Sequence, residues 1–564
     1  MCLEPPLRAA LSFPGKAFLV STTLPVSSTP AVSAETDARQ SVEVFDTTLR
    51  DGLQVEGVSA TVDDKLRIAE QLDHLGVHFI EGGWPGANPK DIEFFARAAT
   101  ELRLTTSTMV AFGSTRRPRG KVDDDATLRN LLDADTSAVC IVAKSWDYHV
   151  LEALQTTLDE GAAMIADSVE FLHGAGRMVL VDLEHFFDGY KHNPEFALRA
   201  IEAAVVNGAS HLVLCDTNGG SLPHEVSAIV ADVKRHVGSD AIIGIHCHDD
   251  TGCAVANSMA AVLAGARHVQ GTLNGLGERT GNCNLTTVIP NLQLKLGMSC
   301  LPEGRLERLT SVSKHVAEVL NRPVNPQAPY VGSSAFAHKA GLHVSAIKRA
   351  KDAYEHVDPE LVGNGTRFVV SEMAGRATIQ MKAEELGLPM DGPAVNQVID
   401  DLKRLEHEGY HFEAADASLE LLMRHAAGWA QEFFRVESMR VITDELPSGD
   451  FTTEATVKVW VGAGELALRH VHTAEGNGPV NAIDVALRTA LANAYPQLDR
   501  VHLTDYKVRI LDGATATGAI TRVLIDFADG SRTWTTIGVS SNIIEASWRA
   551  LEEGLVFGLL HAPA

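Results

Sequence analysis

The sequence lacks the features that mark disulfide-rich, membrane-spanning and nucleic-acid-binding proteins. Its seven cysteines are scattered over 564 residues without a C-x-x-C pair, so neither a disulfide framework nor a structural zinc site is expected. No apolar run approaches the roughly 20 residues that a membrane-spanning helix needs. The 73 acidic residues outnumber the 48 basic ones, giving a net charge of −25. We therefore expect a cytoplasmic protein with neither nucleic-acid nor membrane partners.

The first 40 residues lack the periodicity of the rest of the chain. They are rich in Ser, Thr, Pro and Ala, and Pro14, Gly15 and Lys16 interrupt their apolar pieces. This composition predicts a disordered N-terminal extension over residues 1–40. An organelle transit peptide is the alternative, because the segment has scattered Arg and few acidic residues.

From Ser41 onward, short β-branched runs alternate with longer amphipathic ones. About eight strand–helix units over residues 41–320 predict an α/β fold, a (β/α)₈ barrel. An open doubly wound sheet is the alternative, but its first strand would normally be followed by a Gly-rich dinucleotide turn. The expected strands cover residues 42–46, 78–82, 105–112, 138–143, 178–184, 211–216, 242–248 and 268–274, with intervening helices such as 62–75, 89–102, 151–173, 194–207, 223–237 and 252–264.

The chain after the barrel divides into two further regions. Three prolines within residues 322–329 indicate a linker, and the sequence from 321 to 436 predicts small helical subdomains. Residues 437–564 contain an internal repeat, in which 481–488 matches 542–549. Two such copies predict a pseudo-symmetric α+β regulatory module.

A turn precedes the helix in each copy of the repeat. These turns offer backbone N–H groups suited to the carboxylate of an effector, and their residues are Gly476, Asn477, Gly478, Ser540 and Ser541.

The first candidate site combines two histidines with an aspartate. His246 and His248 are two residues apart on a predicted buried strand, so their imidazoles point to the same side at the barrel mouth. Asp51, after strand one, would complete a two-histidine, one-carboxylate set for a divalent cation with positions open for substrate oxygens. The structural alternative is a core histidine beside a solvent-facing one, with Asp51 as a helix cap.

Other polar residues also follow predicted strands. Arg50 places a fixed positive charge beside Asp51, Glu184 follows strand five, and Thr217 offers a hydroxyl to a substrate carboxylate. Each has a structural alternative, an ordinary loop carboxylate for Glu184 and a turn cap for Thr217. Residues 274–282 form a glycine-punctuated loop that would approach an anion or a metal.

Several motifs together resemble the DRE-TIM metallolyase superfamily. They are DTTLRDG (46–52), EGGWPG (81–86), EHFFDGY (184–190), the pair of histidines at 246 and 248, NGLGERTGN (274–282) and AHKAGLH (337–343). Within the superfamily the chain is similar to the Claisen-condensing synthases of the 2-isopropylmalate, homocitrate and citramalate type. The resemblance runs from about residue 41 to 560, and the C-terminal repeat resembles the allosteric dimerisation domain of these enzymes.

The resemblance implies a role for each matching residue. The implied metal ligands are Asp51, His246, His248 and Asn282. The positions implied to act on substrates are Arg50, Thr217, Glu184, His343 and Tyr354. His343 matches a histidine that reaches the partner subunit's site and is the leading candidate for the base, and Tyr354 departs from the family spacing by one residue.

The reaction implied by the resemblance is the condensation of acetyl-CoA with pyruvate on a divalent metal, Mg²⁺ or Mn²⁺, with Zn²⁺ as an alternative. The implied protein is a homodimer whose linker subdomain reaches the partner barrel, with isoleucine as feedback effector. Two alternatives stay open. In the first, the acceptor is 2-oxoisovalerate, as in 2-isopropylmalate synthase. In the second, the barrel is a catalytically silent amino-acid sensor.

Overall fold

The computed structural model describes residues 41–238, 241–339, 346–347, 350, 354–368, 370, 374–511 and 518–562. Eight parallel strands form a closed barrel in chain order, and β1 pairs with β8, so that Asp46 lies opposite Gly271. This confirms the predicted (β/α)₈ fold. The strands are β1 (Glu43–Asp46), β2 (Phe79–Gly83), β3 (Thr108–Ser114), β4 (Ala138–Lys144), β5 (Met178–Glu184), β6 (His211–Asp216), β7 (Ile242–Cys247) and β8 (His268–Gly271).

Helices surround the barrel and begin and end at the expected signals. A capping box between Thr61 and Asp64 starts α1, and Gly76 ends it with a φ of 93°. The helices are α1 (Val62–Leu75), α2 (Pro89–Glu101), α3 (Ala126–Asp133), α4 (Leu158–Gly174), α5 (Phe186–His192), α6 (Pro194–Val206), α7 (Pro223–Val237), α8 (Ala254–Ala264), α9 (Leu285–Pro290) and α10 (Leu309–Val319).

The strand expected over 105–112 lies instead at Thr108–Ser114, and two further predicted elements differ from the structure. The helix expected over 151–173 is divided into a π-helix, His149–Ala153, and α4, because Gln155 is left-handed with a φ of 50° and Thr157 caps a new start. The last barrel strand ends at Gly271 and not at Asn274, since Asn274 has a φ of 61° and lies in a turn.

Short elements follow the barrel. A two-stranded parallel pair precedes three helices, and the helices pack through their own apolar cluster, which includes Ile379, Val398 and Leu419. The elements are β9 (Ala337–His338), β10 (Arg367–Phe368), α11 (Arg376–Glu385), α12 (Gly392–His407) and α13 (Asp416–Ala426).

The C-terminal region has the predicted twofold internal repeat. Each half is a three-stranded antiparallel sheet followed by one helix. A glycine near the end of the last strand lets the helix pack closely in each half, since a Cβ would lie 2.4 Å from Ala482 N at Gly476 and 1.9 Å from Ala546 O at Gly538. The elements are β11 (Phe434–Glu445), β12 (Phe451–Val461), β13 (Leu468–Gly476), α14 (Pro479–Leu491), β14 (His502–Ile510), β15 (Thr521–Ala528), β16 (Thr533–Ser540) and α15 (Ile543–Leu560).

The two halves share one apolar core with α13. Leu421 of α13 packs with the buried faces of β12, β15, α14 and α15. Ile537 and Val539 of β16 belong in turn to the cluster of α11 to α13. The helical segment and the repeat module are therefore joined by packing. Among the described residues, no helix has the length and apolar character required to cross a membrane.

Candidate active site

The polar residues at the C-terminal end of the barrel converge on one cavity. β1 is followed by Arg50 and Asp51, and β7 carries His246 and is followed by His248. Because all eight strands are parallel, these residues meet at the same barrel mouth. The cavity measures about 220 Å³ and is lined by Arg50, Asp51, Gln54, Trp84, Phe112, Val142, Asp182, Glu184, Cys215, Thr217, His246, His248, Glu278 and Arg279.

Asp51, His246 and His248 form a compact buried group. One donor atom from each residue lies within 4.8 Å of the other two. Asp51 Oδ2 is 3.3 Å from His246 Nε2 and 3.9 Å from His248 Nε2. The predicted convergence of these three side chains is therefore present in the fold.

The ionisation states of Asp51 and His248 favour cation binding. Burial raises the pKa of Asp51, but the positive charge of Arg50 and the contact with His246 outweigh burial and lower it, so the carboxylate is ionised. Burial and the neighbouring His246 lower the pKa of His248 to about 4, which keeps its imidazole neutral. An ionised carboxylate beside a neutral imidazole is the state in which both bind a metal.

Two buried atoms at this site have no hydrogen-bond partner among the described residues. They are His248 Nδ1 and Asn282 Oδ1. The Asn282 amide donates from Nδ2 to Asp51 Oδ2 at 3.0 Å, and Nδ2 lies 3.2 Å from His246 Nε2. A half-turn of the amide exchanges Nδ2 for Oδ1 and turns a carbonyl oxygen toward the same two atoms. The donor set then has two imidazole nitrogens, a carboxylate and an amide oxygen, which fits a divalent cation.

A chain of buried polar groups orients His246. The Nδ1–H of His246 donates to Gln270 Oε1 at 2.8 Å, and Gln270 Nε2 donates to Asp182 Oδ1 at 2.9 Å. This chain leaves the Nε2 lone pair of His246 directed at Asp51. Sequence reasoning missed Gln270 and Asp182. The available signal was a polar residue within each of two buried strands, β5 and β8.

Arg50 is held from three directions. Its Nε donates to Glu81 Oε2 at 2.7 Å, its Nη1 lies 3.5 Å from Asp51 Oδ2, and its guanidinium carbon lies 3.9 Å from the ring centre of Phe112. Burial lowers the pKa of Arg50, but Glu81 and Asp51 outweigh burial and raise it. The guanidinium is therefore charged and fixed beside the candidate metal group.

Thr217 and Glu184 lie at the rim of the cavity. Thr217 Oγ1 accepts a hydrogen bond from the backbone N–H of His185 at 2.8 Å, which leaves the hydroxyl hydrogen of Thr217 to donate elsewhere. Glu184 forms an ion pair with Lys144. Both predicted residues line the cavity together with the candidate metal group.

The glycine-punctuated loop after β8 places Asn282. A Cβ on Gly277 would lie 1.9 Å from Asn282 Oδ1, and a Cβ on Gly281 would lie 2.0 Å from Gly275 O. Arg279 anchors the loop, because its Nε donates to Asp250 Oδ1 at 2.7 Å and its Nη2 donates to Thr217 O at 2.9 Å. The glycines are thus required for the loop to fold closely against the site.

Two candidate residues lie beyond the barrel in sequence. His343 lies outside the described residues. Tyr354 is 45% exposed and does not line the cavity.

The two turns predicted to bind an effector differ in their hydrogen bonding. Asn542 Oδ1 accepts from Ile544 N and Ser540 Oγ accepts from Asn542 N, so the second turn already satisfies these N–H groups. In the first turn, Asn477 N donates to Asn481 Oδ1 at 3.2 Å. A Cβ on Gly478 would meet nothing within 4 Å. The first turn is therefore the more open of the two.

Three family models match successive parts of the chain. They are the HMGL-like model over residues 41–316, the homocitrate synthase post-HMGL domain-like model over 330–410, and the LeuA allosteric (dimerisation) domain over 413–558.

Curated relatives match over nearly the full length. An (R)-citramalate synthase of Streptomyces coelicolor is 54% identical, covering 94% of this chain and 99% of the relative. An (R)-citramalate synthase of Aquifex aeolicus is 51% identical, covering 92% and 98%. A probable 2-isopropylmalate synthase of Methanopyrus kandleri is 33% identical, covering 91% and 97%. A solved hydroxymethylglutaryl-CoA lyase from Pseudomonas aeruginosa is 19% identical, covers 50% of this chain and 95% of its own, and has a TM-score of 0.44.

Proposed function

Because this chain belongs to the family of the (R)-citramalate synthases, we propose that it condenses acetyl-CoA with pyruvate to give (R)-citramalate and CoA. It is an enzyme, an acetyl-CoA-using condensing transferase. The observation that carries the proposed mechanism is the position of the charged Arg50 beside Asp51, His246 and His248 in one small cavity.

Asp51, His246, His248 and Asn282 are proposed to hold one divalent cation, Mg²⁺ or Mn²⁺, with Zn²⁺ as the alternative. When bound, this ion supplies Lewis acidity that polarises the ketone of the keto acid. Gln270 would accept the Nδ1–H of His246, which leaves Nε2 as the nitrogen that coordinates. The orphaned Asn282 oxygen and the ionised Asp51 support this assignment.

Arg50 is proposed to stabilise the negative charge that grows on the ketone oxygen. Its guanidinium is already oriented by Glu81 and Phe112, so little reorganisation is needed as the charge develops. Thr217 would donate its hydroxyl hydrogen to the pyruvate carboxylate, since its oxygen already accepts from His185 N. Glu184, paired with Lys144, would complete the rim of the site.

The carbon–carbon bond forms between the methyl carbon of acetyl-CoA and the ketone carbon of pyruvate. A base removes a methyl proton, and the ketone oxygen gains a proton as the bond forms. Water then hydrolyses the thioester, releasing CoA thiol and a carboxylate. His343 is proposed as the base and Tyr354 as a further substrate contact, both brought to the site from the partner subunit.

The relatives favour pyruvate as the acceptor, since five (R)-citramalate synthases match nearly the whole chain at 45–54% identity. Trp84 and Phe112, with ring centres 5.3 Å apart, line the cavity in which the keto acid would lie. The acceptor 2-oxoisovalerate carries two more carbon atoms than pyruvate, because an isopropyl group replaces the methyl group. One extra methylene-sized group on a substrate changes the ratio of kcat/KM between two substrates by about 1–3 kcal/mol, or roughly 10–200-fold. Pyruvate is therefore proposed over 2-oxoisovalerate.

CoA-thiol release from acetyl-CoA tests this function. With Mg²⁺ or Mn²⁺ present, we expect pyruvate to support at least tenfold higher kcat/KM than 2-oxoisovalerate. Asp51→Asn should abolish release with both acids. Asp135→Asn, at a carboxylate that is 82% exposed, is the matched control and should retain full activity. A preference for 2-oxoisovalerate would refute pyruvate as the acceptor. No CoA-thiol release with either acid would favour the catalytically silent sensor.

The C-terminal module is proposed to form a homodimer and to bind isoleucine at the turn Gly476-Asn477-Gly478. The match to an allosteric dimerisation domain supports oligomerisation. The second turn, Ser540-Ser541, is the weaker candidate because the N–H groups of Asn542 and Ile544, which follow it, are already paired. A cytoplasmic location is proposed with this biosynthetic role.

Gly478→Asp tests the effector site. Gly478 has an extended φ of 172° and open space around it, so the side chain fits and adds a negative charge against an effector carboxylate. We expect the isoleucine concentration for half-inhibition to rise at least tenfold, with uninhibited activity unchanged. Gly478→Ala makes the same backbone change without the charge and should leave inhibition intact. Unchanged inhibition in Gly478→Asp would remove this turn from the proposal.

A further inference from the structure

A second group of ligand-type side chains lies at the opposite end of the barrel. Glu43, His211 and His268 begin β1, β6 and β8, so they meet inside the N-terminal mouth, away from the C-terminal cavity. The side chains of His211 and His268 are 4% and 0% exposed, whereas that of Glu43 is 27% exposed. The group is therefore buried among strands but keeps one opening to solvent.

The distances in this group approach those of a tetrahedral metal site. Glu43 Oε2 lies 2.7 Å from His211 Nε2 and 3.3 Å from His268 Nδ1, and one donor atom from each residue lies within 4.8 Å of the others. Zinc bonds of about 2.0–2.1 Å at tetrahedral angles place donor atoms roughly 3.3–3.4 Å apart. The contact to His268 already has this length, and the contact to His211 needs to open by only about half an ångström.

Ser210 orients the ring of His211. Ser210 Oγ lies 3.0 Å from Val179 O and 2.8 Å from His211 Nδ1. A hydroxyl has one hydrogen, so when Ser210 donates to Val179 O, it accepts the Nδ1–H of His211. The other ring nitrogen, Nε2, then faces Glu43 Oε2 at 2.7 Å, and either a proton or a metal ion between the two atoms makes this contact favourable.

His268 presents Nδ1 to the group, since this atom faces Glu43 Oε2. Its Nε2 has no hydrogen-bond partner among the described residues and would carry the ring hydrogen when Nδ1 binds a metal. Burial lowers the pKa of His268 to about 4, which keeps the ring neutral. The nearby His78 is excluded as a further ligand through Nδ1, because that atom accepts the backbone N–H of Val44 at 3.1 Å.

We propose that Glu43, His211 and His268 form a second metal site, selective for a divalent transition cation of the zinc class. Two imidazoles and one carboxylate match the ligand preference of Zn²⁺ and Co²⁺, and the exposed side of Glu43 leaves a fourth position for water. Ser210 serves as the outer hydrogen-bond partner that orients His211. A bound ion would link β1 and β8, where the barrel closes, to β6.

Cobalt titration of the full-length protein tests this site. After chelator treatment, we expect two Co²⁺ per chain, one of them with the intense visible absorption of tetrahedral coordination. Asp51→Asn should remove the C-terminal ion and leave the tetrahedral signal. Glu43→Gln and His211→Asn should each abolish that signal and lower the stoichiometry by one. His224→Asn, at an exposed histidine of α7, is the matched control and should change neither.

Two results would overturn the proposal. One is the absence of a tetrahedral Co²⁺ signal in the unsubstituted protein, which needs no variant and so does not depend on variant folding. The other is a tetrahedral signal that survives both Glu43→Gln and His211→Asn. A Zn²⁺-dependent rise in melting temperature for Asp51→Asn, lost when His211→Asn is added, would give independent support. These readouts do not depend on the proposed reaction.

Discussion

Gln270 offers a sharp test of how this barrel positions a ligand, because it touches no substrate. Gln270→Leu keeps approximately the same volume but removes both of its hydrogen bonds, to His246 at 2.8 Å and to Asp182 at 2.9 Å. The imidazole then loses the group that fixes its tautomer. Loss of such an outer partner typically lowers metal affinity 10–100-fold, or about 1.4–2.7 kcal/mol.

The same substitution also affects stability. It leaves His246 Nδ1–H and Asp182 Oδ1 without partners in a buried region, at a cost of about 1–3 kcal/mol for each group. Stability loss alone would therefore not demonstrate a positioning role. Val110→Ala provides the matched control, because Val110 is fully buried in the same barrel interior and does not line the cavity. It should cost about 2 kcal/mol of stability without a change in metal affinity.

Isothermal titration calorimetry with Mn²⁺, together with urea unfolding, separates the two effects. We expect the Kd for the ion to rise at least tenfold in Gln270→Leu and to stay within twofold of the unsubstituted value in Val110→Ala. A Kd in Gln270→Leu within twofold of the unsubstituted protein would refute the positioning argument. Gln270 would then be a structural residue of the barrel interior.

Two further predictions concern the C-terminal half. Burial raises the pKa of Glu553, which accepts a hydrogen bond from Ser418, to about 7. The contribution of Glu553 to stability is therefore complete below its ordinary pKa of about 4.5 and is lost as the pH rises to about 7. Glu553→Gln should remove up to about 3 kcal/mol of this pH dependence, as measured by urea unfolding. Unchanged pH dependence would contradict this. Gly538→Ala should lower the melting temperature by several degrees, because the added Cβ would lie 1.9 Å from Ala546 O. Gly518→Ala is the control and should not lower it, since there is open space around Gly518. Equal melting temperatures of the two variants in a calorimetric scan would argue against the close approach at Gly538.

Local periodicity was sufficient to predict most of the barrel. The strands at Met178–Glu184 and His211–Asp216 and the helix at Val62–Leu75 have the expected bounds. The helix expected over 151–173 was wrong because apolar spacing does not reveal a left-handed residue such as Gln155. Apolar periodicity shows which face of a helix is buried. A single left-handed residue that interrupts the helix does not change that periodicity.

The candidate site was partly predictable for a similar reason. His246 and His248 are close in sequence, and the strand repeat of two residues places them on one side. Asp51 could be added because parallel strands end at a common mouth. Gln270 and Asp182 are 88 residues apart, and their contact depends on the closed register of the barrel. Sequence patterns over a few residues therefore cannot predict this contact.

The sequence by itself determined the order of strands and helices, the internal repeat and the residue types at the C-terminal mouth, because these depend on short-range sterics, apolar periodicity and parallel topology. Only the tertiary structure decided which buried polar groups meet, as in the chain from His246 to Asp182 and in the group of Glu43, His211 and His268. Such contacts join strands that are far apart in the chain. Barrel closure sets their distances, and burial then requires each polar atom to find a partner in whatever side chain the closed register brings opposite it.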